Sequence, residues 1–443
     1  MKQITSKLKP QAAIKSKMDN YTNKTINNIH HGVSSLPVKR NLSSGFVIVT
    51  VLWVVILLGV IAAAIGRSSR LDTKVSLANI HALKLRWACA AGIDTAMAVL
   101  NEDDKSSDSL RELWSENEDD FNNIELDGCC FNVQIVDEAG KLNINTATKK
   151  QLLGLVDMTE DLADSIIDWR DSDNTPGQAG AEGPYYESLL YSYKIRNASF
   201  KTIRELLLVR GFDAELLYDQ KIRWIDYLTC YSQDSNTNAA GEKRININQA
   251  DENKLTESLK IAKSYAKWIV ENRPQGNGYA SIADLVNDNS PQRVEKKSDN
   301  NSDKAEPLDL ETFYSIADKI TITNNEKIPG RVNINTAPRE VLIALLEGGK
   351  DAELLADNII KYRKTLISGM ETIVDIMKVS SMKLATFKKI ANDITTRSDI
   401  YLVNSSASIT QDTRASARLH CEAVLDRSTS PNTVLYCYQG VSN

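Results

Sequence analysis

The chain has 443 residues, 42% of them hydrophobic and 25% charged, and this length accommodates two or three domains with a sizeable core. Its net charge of −5 excludes the overall basic surface that nucleic-acid-binding domains carry. Four histidines are scattered along the chain and no GxSxG or HExxH motif occurs, so nothing favours an enzyme. Six cysteines without CxxC spacing do not match the usual zinc sites.

The first predicted element is a membrane-spanning helix, Phe46 to Ile65, which follows a basic leader. These 20 uncharged residues rise about 30 Å as a helix, the thickness of the hydrocarbon core of a bilayer. Residues 1–45 are polar and carry seven lysines and one arginine against a single aspartate, Asp19. This bias predicts a cytoplasmic N-terminus and export of everything after Gly66. A disordered basic tail is compatible with the same composition.

The helix is predicted to continue beyond the membrane to about Leu100. Apolar residues recur there at spacings of three and four and predict one helical face, formed by Ile80, Leu83, Trp87, Ala90, Met97 and Leu100. After an acidic stretch, the residues from Cys130 to Val136 (CFNVQIV) predict a strand.

An internal repeat follows the strand. The phrases KLNINTATKKQLL, RININQADENKL and RVNINTAPREVLIAL begin at Lys141, Arg244 and Arg331. A helical phrase ending in arginine comes later in each repeat, and these phrases read LADSIIDWR, YAKWIVENR and LADNIIKYR. The first asparagine and the arginine are separated by 27, 27 and 30 residues, so the sequence predicts three related units.

The repeat defines the predicted domain organisation. One unit cannot bury its apolar face alone, so we expect three to pack together as an inserted helical domain, 143–393, with units at 143–212, 246–286 and 333–390. The polar stretch Asn287–Pro307 is predicted to be a flexible loop. We expect the first strand, within residues 46–142, and the strands of residues 394–443 to form one sheet. The predicted fold class is therefore α+β.

The first unit contains a long acidic insertion. Phe200 lies thirty residues after Arg170, whereas the equivalent residue lies only six or seven residues after the arginine in the other two units. The insertion places Asp171, Asp173 and Glu182 after Asp168 on a glycine-rich loop. Carboxylates on a flexible loop are oxygen ligands of the kind that calcium prefers, although the spacing is not that of an EF-hand. A solvated acidic surface is the alternative.

Two cysteines lie in the predicted C-terminal hairpin. Cys421 and Cys437 flank the turn-like segment DRSTSPN, between two alternating runs. With a turn centred near Thr429 they would fall opposite each other, within reach of a disulfide. Two half-buried thiols are the alternative.

These features together resemble one family. The junction Gly45–Phe46 resembles a prepilin peptidase site, and LWVVILLGVIAA followed by RSSRLDTKVSLAN resembles the start of the type II secretion minor pseudopilin K family. The segments DWRDSDNTPGQAGAEGPYY, LLLVRGFD and SDIYLVNSSASI are similar to that family's acidic loop, next helix and returning strand. The leader is longer than is usual in the family, and Met18 is a second candidate start.

The resemblance implies a pilin-like fold with a helical insertion and a non-enzymatic subunit at the tip of the pseudopilus. It implies cleavage by prepilin peptidase, methylation of Phe46, and calcium at Asp168, Asp171, Asp173 and Glu182. The implied partners are other minor pseudopilins, the major pseudopilin and the inner membrane, which the chain would cross once with its C-terminal part in the periplasm. No nucleic acid is implied.

Position five of the processed chain is informative within this resemblance. Most pilin-type helices carry glutamate there, whereas this chain has Thr50, and the K family characteristically lacks the glutamate. A carboxylate inside the bilayer is costly unless it is paired. A simply tolerated threonine is the alternative.

The repeats also resemble helix-hairpin-helix units, and a membrane-anchored DNA receptor is therefore the alternative function. In such units, backbone N–H groups of a glycine-containing hairpin bind phosphates. The hairpins here read GLVDMTED, TESLKIAK and LEGGKDAE; two are acidic, and they supply no positive contact surface.

Overall fold

A computed structural model of the protein describes residues 44–218, 223–287, 290, 304–410 and 418–442. The predicted leader up to residue 43 and most of the predicted loop Asn287–Pro307 lie outside the described residues. The chain divides into two compact units, one ending at Val75 and the other beginning at Ser76.

The N-terminal element is a single long helix, α1 (Ser44–Glu102). Among the described residues it is the one helix long and apolar enough to cross a membrane. The helix predicted to continue beyond the membrane to about Leu100 is confirmed, and Ile80, Leu83 and Trp87 of its predicted apolar face are exposed. The buried face consists instead of Leu85, Ala88, Cys89, Ala96 and Leu100.

Two strands and a short helix follow α1. These are α2 (Glu118–Phe121), β1 (Ile124–Leu126) and β2 (Cys129–Asp137). The predicted strand Cys130–Val136 thus lies within β2. A turn of 3-10 helix, Glu138–Gly140, leads from the strand into the helical block.

The first of three helical units runs from residue 142 to residue 229. Its elements are β3 (Leu142–Asn143), α3 (Lys149–Leu153), α4 (Glu160–Arg170), α5 (Gly183–Glu187), a 3-10 helix (Ile203–Leu208), α6 (Ala214–Tyr218), α7 (Trp224–Tyr227) and β4 (Leu228–Thr229). The strand β5 (Gln233–Ser235) follows it.

The second and third units repeat this order without α5 and with one α-helix instead of two before the closing strand. The second contains β6 (Ile245–Asn246), α8 (Glu252–Leu259), α9 (Lys263–Glu271), a 3-10 helix (Ile282–Leu285), α10 (Leu310–Ile316), a 3-10 turn (Ala317–Lys319) and β7 (Ile320–Thr321). After β8 (Lys327–Pro329), the third contains β9 (Val332–Asn333), α11 (Arg339–Leu345), α12 (Lys350–Arg363), a 3-10 helix (Ile373–Lys378), α13 (Leu384–Ile390) and β10 (Ile394–Thr395).

Each unit is closed by the same pairing, since its first strand pairs in parallel with its last: β3 with β4, β6 with β7 and β9 with β10. The units therefore extend beyond the predicted ends at residues 212, 286 and 390. The closing strands are two residues long, which is too short for a hydrophobic pattern to reveal.

The repeated arginine has the same partners in every unit. Arg170, Arg273 and Arg363 each donate to two backbone carbonyls at the start of their own unit, which belong to Ile144 and Ala147, Ile247 and Ala250, and Ile334 and Ala337. These carbonyls precede the first helix of each unit, so the arginine holds the entry turn against the second helix.

A repeated asparagine adds a second internal clamp. Asn145, Asn248 and Asn335 each accept a hydrogen bond from the backbone N–H of a distant residue and donate to its carbonyl. Those partners are Phe200, Tyr279 and Met370, which lie just before the 3-10 helices. The long insertion of the first unit therefore returns to the equivalent position.

The three C-terminal strands complete a five-stranded antiparallel sheet. They are β11 (Ile400–Ile409), β12 (Arg418–Asp426) and β13 (Thr433–Ser442), and the sheet order is β1-β2-β11-β12-β13. The prediction that strands before and after the helical block share one sheet is confirmed by the pairing of β2 with β11. Residues 76–102 of α1 supply apolar side chains to the core against this sheet.

The cross-strand position predicted for Cys421 and Cys437 is wrong by two residues. The register places Cys421 opposite Gln439 and Cys437 opposite Ala423, with a shift between Val424 and Leu425. This irregularity adds a residue on β13 that the symmetric hairpin argument did not contain. Cys421 is buried and Cys437 is exposed.

Candidate metal centre

Three predicted acidic residues meet where α4 ends and α5 begins. Asp168 lies in the last turn of α4, Asp171 directly follows this helix, and Glu182 directly precedes α5. Carboxylate oxygens of the three residues lie within 4.8 Å of one another. The side chains share a site because the insertion folds back across the helix end.

Asp173 is not part of this group of three. It is exposed, one of its carboxylate oxygens accepts from the N–H of Thr175 at 2.8 Å, and its carbonyl accepts from the Asn197 amide at 2.6 Å. Its charge nevertheless acts on Asp171 and Glu182. Asp173 therefore stands at the rim of the site.

Several oxygens at the site are buried without a hydrogen-bond donor in the described part of the chain. They are Oδ1 of Asp171 and both carboxylate oxygens of Glu182. Glu182 as a whole is only 3% exposed. Burying a carboxylate without donors or a counter-charge is costly. The described protein atoms therefore supply neither the hydrogen-bond donors nor the positive charge that these buried oxygens require.

The pKa values of the three carboxyl groups also indicate that the site lacks positive charge. Burial, together with Asp168, Asp171 and Asp173, raises the pKa of Glu182 to about 7. Burial also raises the pKa of Asp168, although the Gly177 N–H opposes this, and it raises the pKa of Asp171. Each carboxylate disfavours the ionised form of its neighbours, and a bound cation would reverse the effect.

Two glycines allow the loop to approach this closely. A Cβ at Gly180 would lie 1.9 Å from Oδ2 of Asp168, and the Gly177 N–H donates to both oxygens of that carboxylate at 3.1 Å. The Arg210 guanidinium donates to the Gly180 carbonyl at 2.8 Å and fixes the loop from the other side. Beneath the loop, Trp169 and Tyr186 pack edge-to-face with ring centroids 5.3 Å apart.

Comparison with known proteins places this site within a family domain. Residues 129–223, which contain the whole acidic loop, match the sequence profile of type II secretion system (T2SS) protein K. The type II secretion system protein K of Pseudomonas aeruginosa is 27% identical over 274 residues, which cover 56% of this chain and 77% of that protein. Residues 129–223 therefore carry a type II secretion system protein K domain, and the chain is similar to protein K of that system.

Two further comparisons give a similar result for the sequence and for the fold. The Pectobacterium carotovorum protein K is 28% identical over 167 residues, 34% of this chain and 48% of that protein. One chain in the crystal structure of the GspK-GspI-GspJ complex from enterotoxigenic Escherichia coli has a TM-score of 0.50 at 15% identity. That match covers 83% of this chain and 99% of the other, and it shows a shared fold.

The donor set of the acidic loop fits a hard divalent cation. The unpartnered carboxylate atoms of Asp171 and Glu182 are oxygens, and calcium binds six to eight oxygens in a flexible geometry. Sequence reasoning missed Asn197, whose buried amide oxygen also lacks a partner and whose amide nitrogen binds Asp173. It lies fifteen residues after Glu182, and nothing in its local sequence points to the site.

The carboxylates of a second acidic group already have partners within the protein. Asp103, Asp108 and Glu112 also lie within 4.8 Å of one another. The Arg427 guanidinium pairs with both aspartates, and the Trp114 indole donates to Glu112 at 2.7 Å. None of their carboxylate oxygens is buried without a hydrogen-bond partner in the described part of the chain, unlike those of the acidic loop.

The remaining predicted positions lie at the start of α1. Helix α1 begins before Gly45 and continues through Phe46, whose side chain is exposed. The Thr50 hydroxyl donates to the Val47 carbonyl at 2.9 Å, so it is satisfied within the helix. Threonine therefore brings no unpaired charge or unmet donor into the predicted span.

Proposed function

We propose that this chain is a non-enzymatic minor pseudopilin at the tip of a type II secretion pseudopilus, joined to other minor pseudopilins through α1. The observation that carries the proposal is an exposed apolar stripe on α1 beyond the predicted span, formed by Leu77, Ile80, Leu83 and Trp87. Trp87 is 68% exposed.

The stripe has the spacing of one helical face. Its members are three, three and four residues apart, so they cover roughly a third of the helix circumference. Apolar surface of this kind on a monomer marks a protein interaction site. A second apolar helix laid along it would remove it from water, in the way that subunit helices pack in a pilus core. The chain of similar fold was crystallised in a complex of GspK, GspI and GspJ, which supports other minor pseudopilins as the partners.

Maturation and location follow from the same helix. In this proposal prepilin peptidase cleaves between Gly45 and Phe46, and methylation of Phe46 follows. The span holds the subunit in the inner membrane with the C-terminal part in the periplasm until it enters the fibre, where it meets the major pseudopilin. The basic leader and the uncharged run support this orientation.

The acidic loop is proposed as a calcium site that uses Asp168, Asp171 and Glu182, with Asp173 at its rim. Calcium would supply the positive charge that the unpartnered carboxylate oxygens lack. Its role here would be structural, because the loop closes over the aromatic residues Trp169 and Tyr186. Fixing this insertion shapes the head that stands above the fibre.

The three units are proposed to be helix-hairpin-helix-like modules that enlarge the head rather than bind DNA. Their repeated arginines bind carbonyls of their own units. Burial lowers the pKa of Arg363 to about 10, as expected for a guanidinium enclosed by protein rather than placed for phosphate. A head enlarged in this way would block further subunits from adding above it.

Substitution in the stripe tests the proposal. The full chain would be co-expressed with its sibling minor pseudopilins, extracted in detergent and purified through a tag on one sibling. We expect Trp87→Glu to lower recovery about tenfold or more, because it places a charge in a helix interface. Ala78→Glu adds the same charge on the opposite, exposed face and should leave recovery unchanged. Equal recovery of Trp87→Glu and wild type would refute assembly through this face.

A further inference from the structure

We propose that Cys89 on α1 and Cys421 on β12 form a disulfide in the exported protein, which links the assembly helix covalently to the sheet. The proposal rests on the proposed export of this part of the chain, because disulfides persist in oxidising compartments. The geometry of the helix against the sheet brings the two thiols together, although they come from opposite ends of the chain.

The helix lies unusually close to the sheet at this level. One turn after Cys89, a Cβ at Gly92 would lie 2.3 Å from the Ser405 hydroxyl oxygen. Only glycine allows this separation, and Ser405 is the residue directly opposite Cys421 in the pairing of β11 with β12. The side chain of Cys89 therefore reaches the backbone of the sheet.

The Cys89 sulfur sits over the two central strands. It lies 3.6 Å from the Ser405 carbonyl oxygen and 3.5 Å from that of Leu419. Leu419 and Cys421 are two residues apart on β12, so both side chains point to the same face, towards α1. The Cys89 and Cys421 thiols are in direct contact, and both are buried.

The contact distinguishes these thiols from the other four. Burial, together with the neighbouring Cys421 thiol, raises the pKa of the Cys89 thiol to about 12. Such a thiol reacts slowly in the folded protein, so the bond would form while the exported chain folds. The two thiols lose two protons and two electrons to a protein-disulfide oxidant, whose own disulfide becomes two thiols, and one S–S bond joins Cys89 to Cys421.

Mass spectrometry of the full chain tests the proposal without any variant. Membranes from a host with periplasmic thiol oxidation are denatured in the presence of N-ethylmaleimide, and the protein is digested without reduction. We expect one peptide pair joined through Cys89 and Cys421, with Cys230 and Cys437 alkylated. In a host that lacks the periplasmic dithiol oxidase, both thiols should be alkylated. Alkylated Cys89 and Cys421 in the oxidising host, or a Cys421–Cys437 link, would overturn the proposal.

Two controls separate this result from failed export or misfolding. Protease added to spheroplasts reports whether the C-terminal part is exported, independently of any linkage. Cys437→Ser should retain the linked peptides, whereas Cys89→Ser should free Cys421 for alkylation and lower the melting temperature by about 5 °C. When the proteins are reduced under denaturing conditions and refolded in reductant, the melting temperature of wild type should fall to that of Cys89→Ser. The melting temperature of Cys89→Ser should not change. A wild-type melting temperature that does not respond to this reduction would count against the bond.

Discussion

Arg427 and Asp108 form an ion pair closed off from solvent, with exposures of 1% and 0%. Asp108 also accepts from the Tyr401 hydroxyl at 2.7 Å and from the Ser398 N–H at 2.7 Å. The second nitrogen of the guanidinium binds Asp103 at 2.6 Å. The pair joins the segment after α1 to the turn between β12 and β13.

Removing the arginine of this pair should be severely destabilising. We expect Arg427→Ala to lower the free energy of unfolding by about 3–5 kcal/mol, because it leaves a buried carboxylate without a counter-charge. Denaturant unfolding followed by tryptophan fluorescence measures the change. Arg223→Ala removes an exposed pair with Asp226 and should cost less than about 1 kcal/mol. Similar losses for both variants would contradict this view of the buried pair.

The neighbouring Glu112 predicts a pH dependence of stability. Burial raises its pKa from 4.5 to about 7, and the charges of Asp108 and Asp103 add to this effect. A raised folded-state pKa means that the folded protein holds the proton more tightly than the unfolded chain does. Its contribution to stability is therefore complete below about pH 4.5 and is lost as the pH rises through about 7.

Glu112→Gln isolates this contribution. The variant should be less stable overall, because an amide nitrogen would face either the Ser109 N–H or the Trp114 indole. Its stability should nevertheless change less between pH 5 and pH 7.5 than that of wild type. Unfolding midpoints measured across this range provide the comparison, and parallel curves for the two proteins would rule out Glu112 as the titrating group.

Calcium should stabilise the protein through the acidic loop. At a calcium concentration of 100 times the dissociation constant, the expected gain is about 2.7 kcal/mol, or a rise of about 5 °C in melting temperature. Magnesium should have less effect because it requires a smaller, more regular oxygen shell. Asp171→Asn and Glu182→Gln should abolish the response to calcium, whereas Asp119→Asn, an exposed change on α2, should retain it. A chelator-insensitive wild type would exclude a calcium site at this loop.

The glycine at the loop crossing provides an independent check on that site. Gly180→Ala retains every carboxylate but adds a Cβ 1.9 Å from Oδ2 of Asp168. We therefore expect calcium affinity to fall at least about tenfold, measured by isothermal titration. Gly128→Ala, in a turn with open space around the added carbon but a positive φ of 79°, should lower stability without changing the affinity. An unchanged affinity in Gly180→Ala would mean that the cation is bound elsewhere.

The asparagine clamps should contribute equally in the three units. Asn335→Ala removes both hydrogen bonds to Met370 and leaves that buried backbone without partners, at a cost of about 2 kcal/mol. The equivalent changes at Asn145 and Asn248 should cost similar amounts, measured by denaturant unfolding. Asn79→Ala on the exposed surface of α1 is the control. A cost confined to one unit would show that the repeated hydrogen bonds are not energetically equivalent.

Much of the site was accessible from sequence because the carboxylates lie close together along the chain. Asp168 and Asp171 end one helix, and the glycine-rich insertion can return only a short distance away, to Glu182. Asn197 was not accessible, because its position depends on how the rest of the insertion crosses the loop. The sequence also did not show that Asp173 lies outside the group of Asp168, Asp171 and Glu182, because that too depends on the path of the insertion.

Sequence alone determined the long apolar run at the start of α1, the three-fold repeat and the order of strand, helical block and strands. These depend on spacing within short stretches, and hydrophobic periodicity records that spacing directly. Tertiary structure decided which face of α1 is buried, where Trp87 points and which thiol contacts Cys421. Those outcomes depend on the register and approach of elements hundreds of residues apart, and local periodicity carries no information about them.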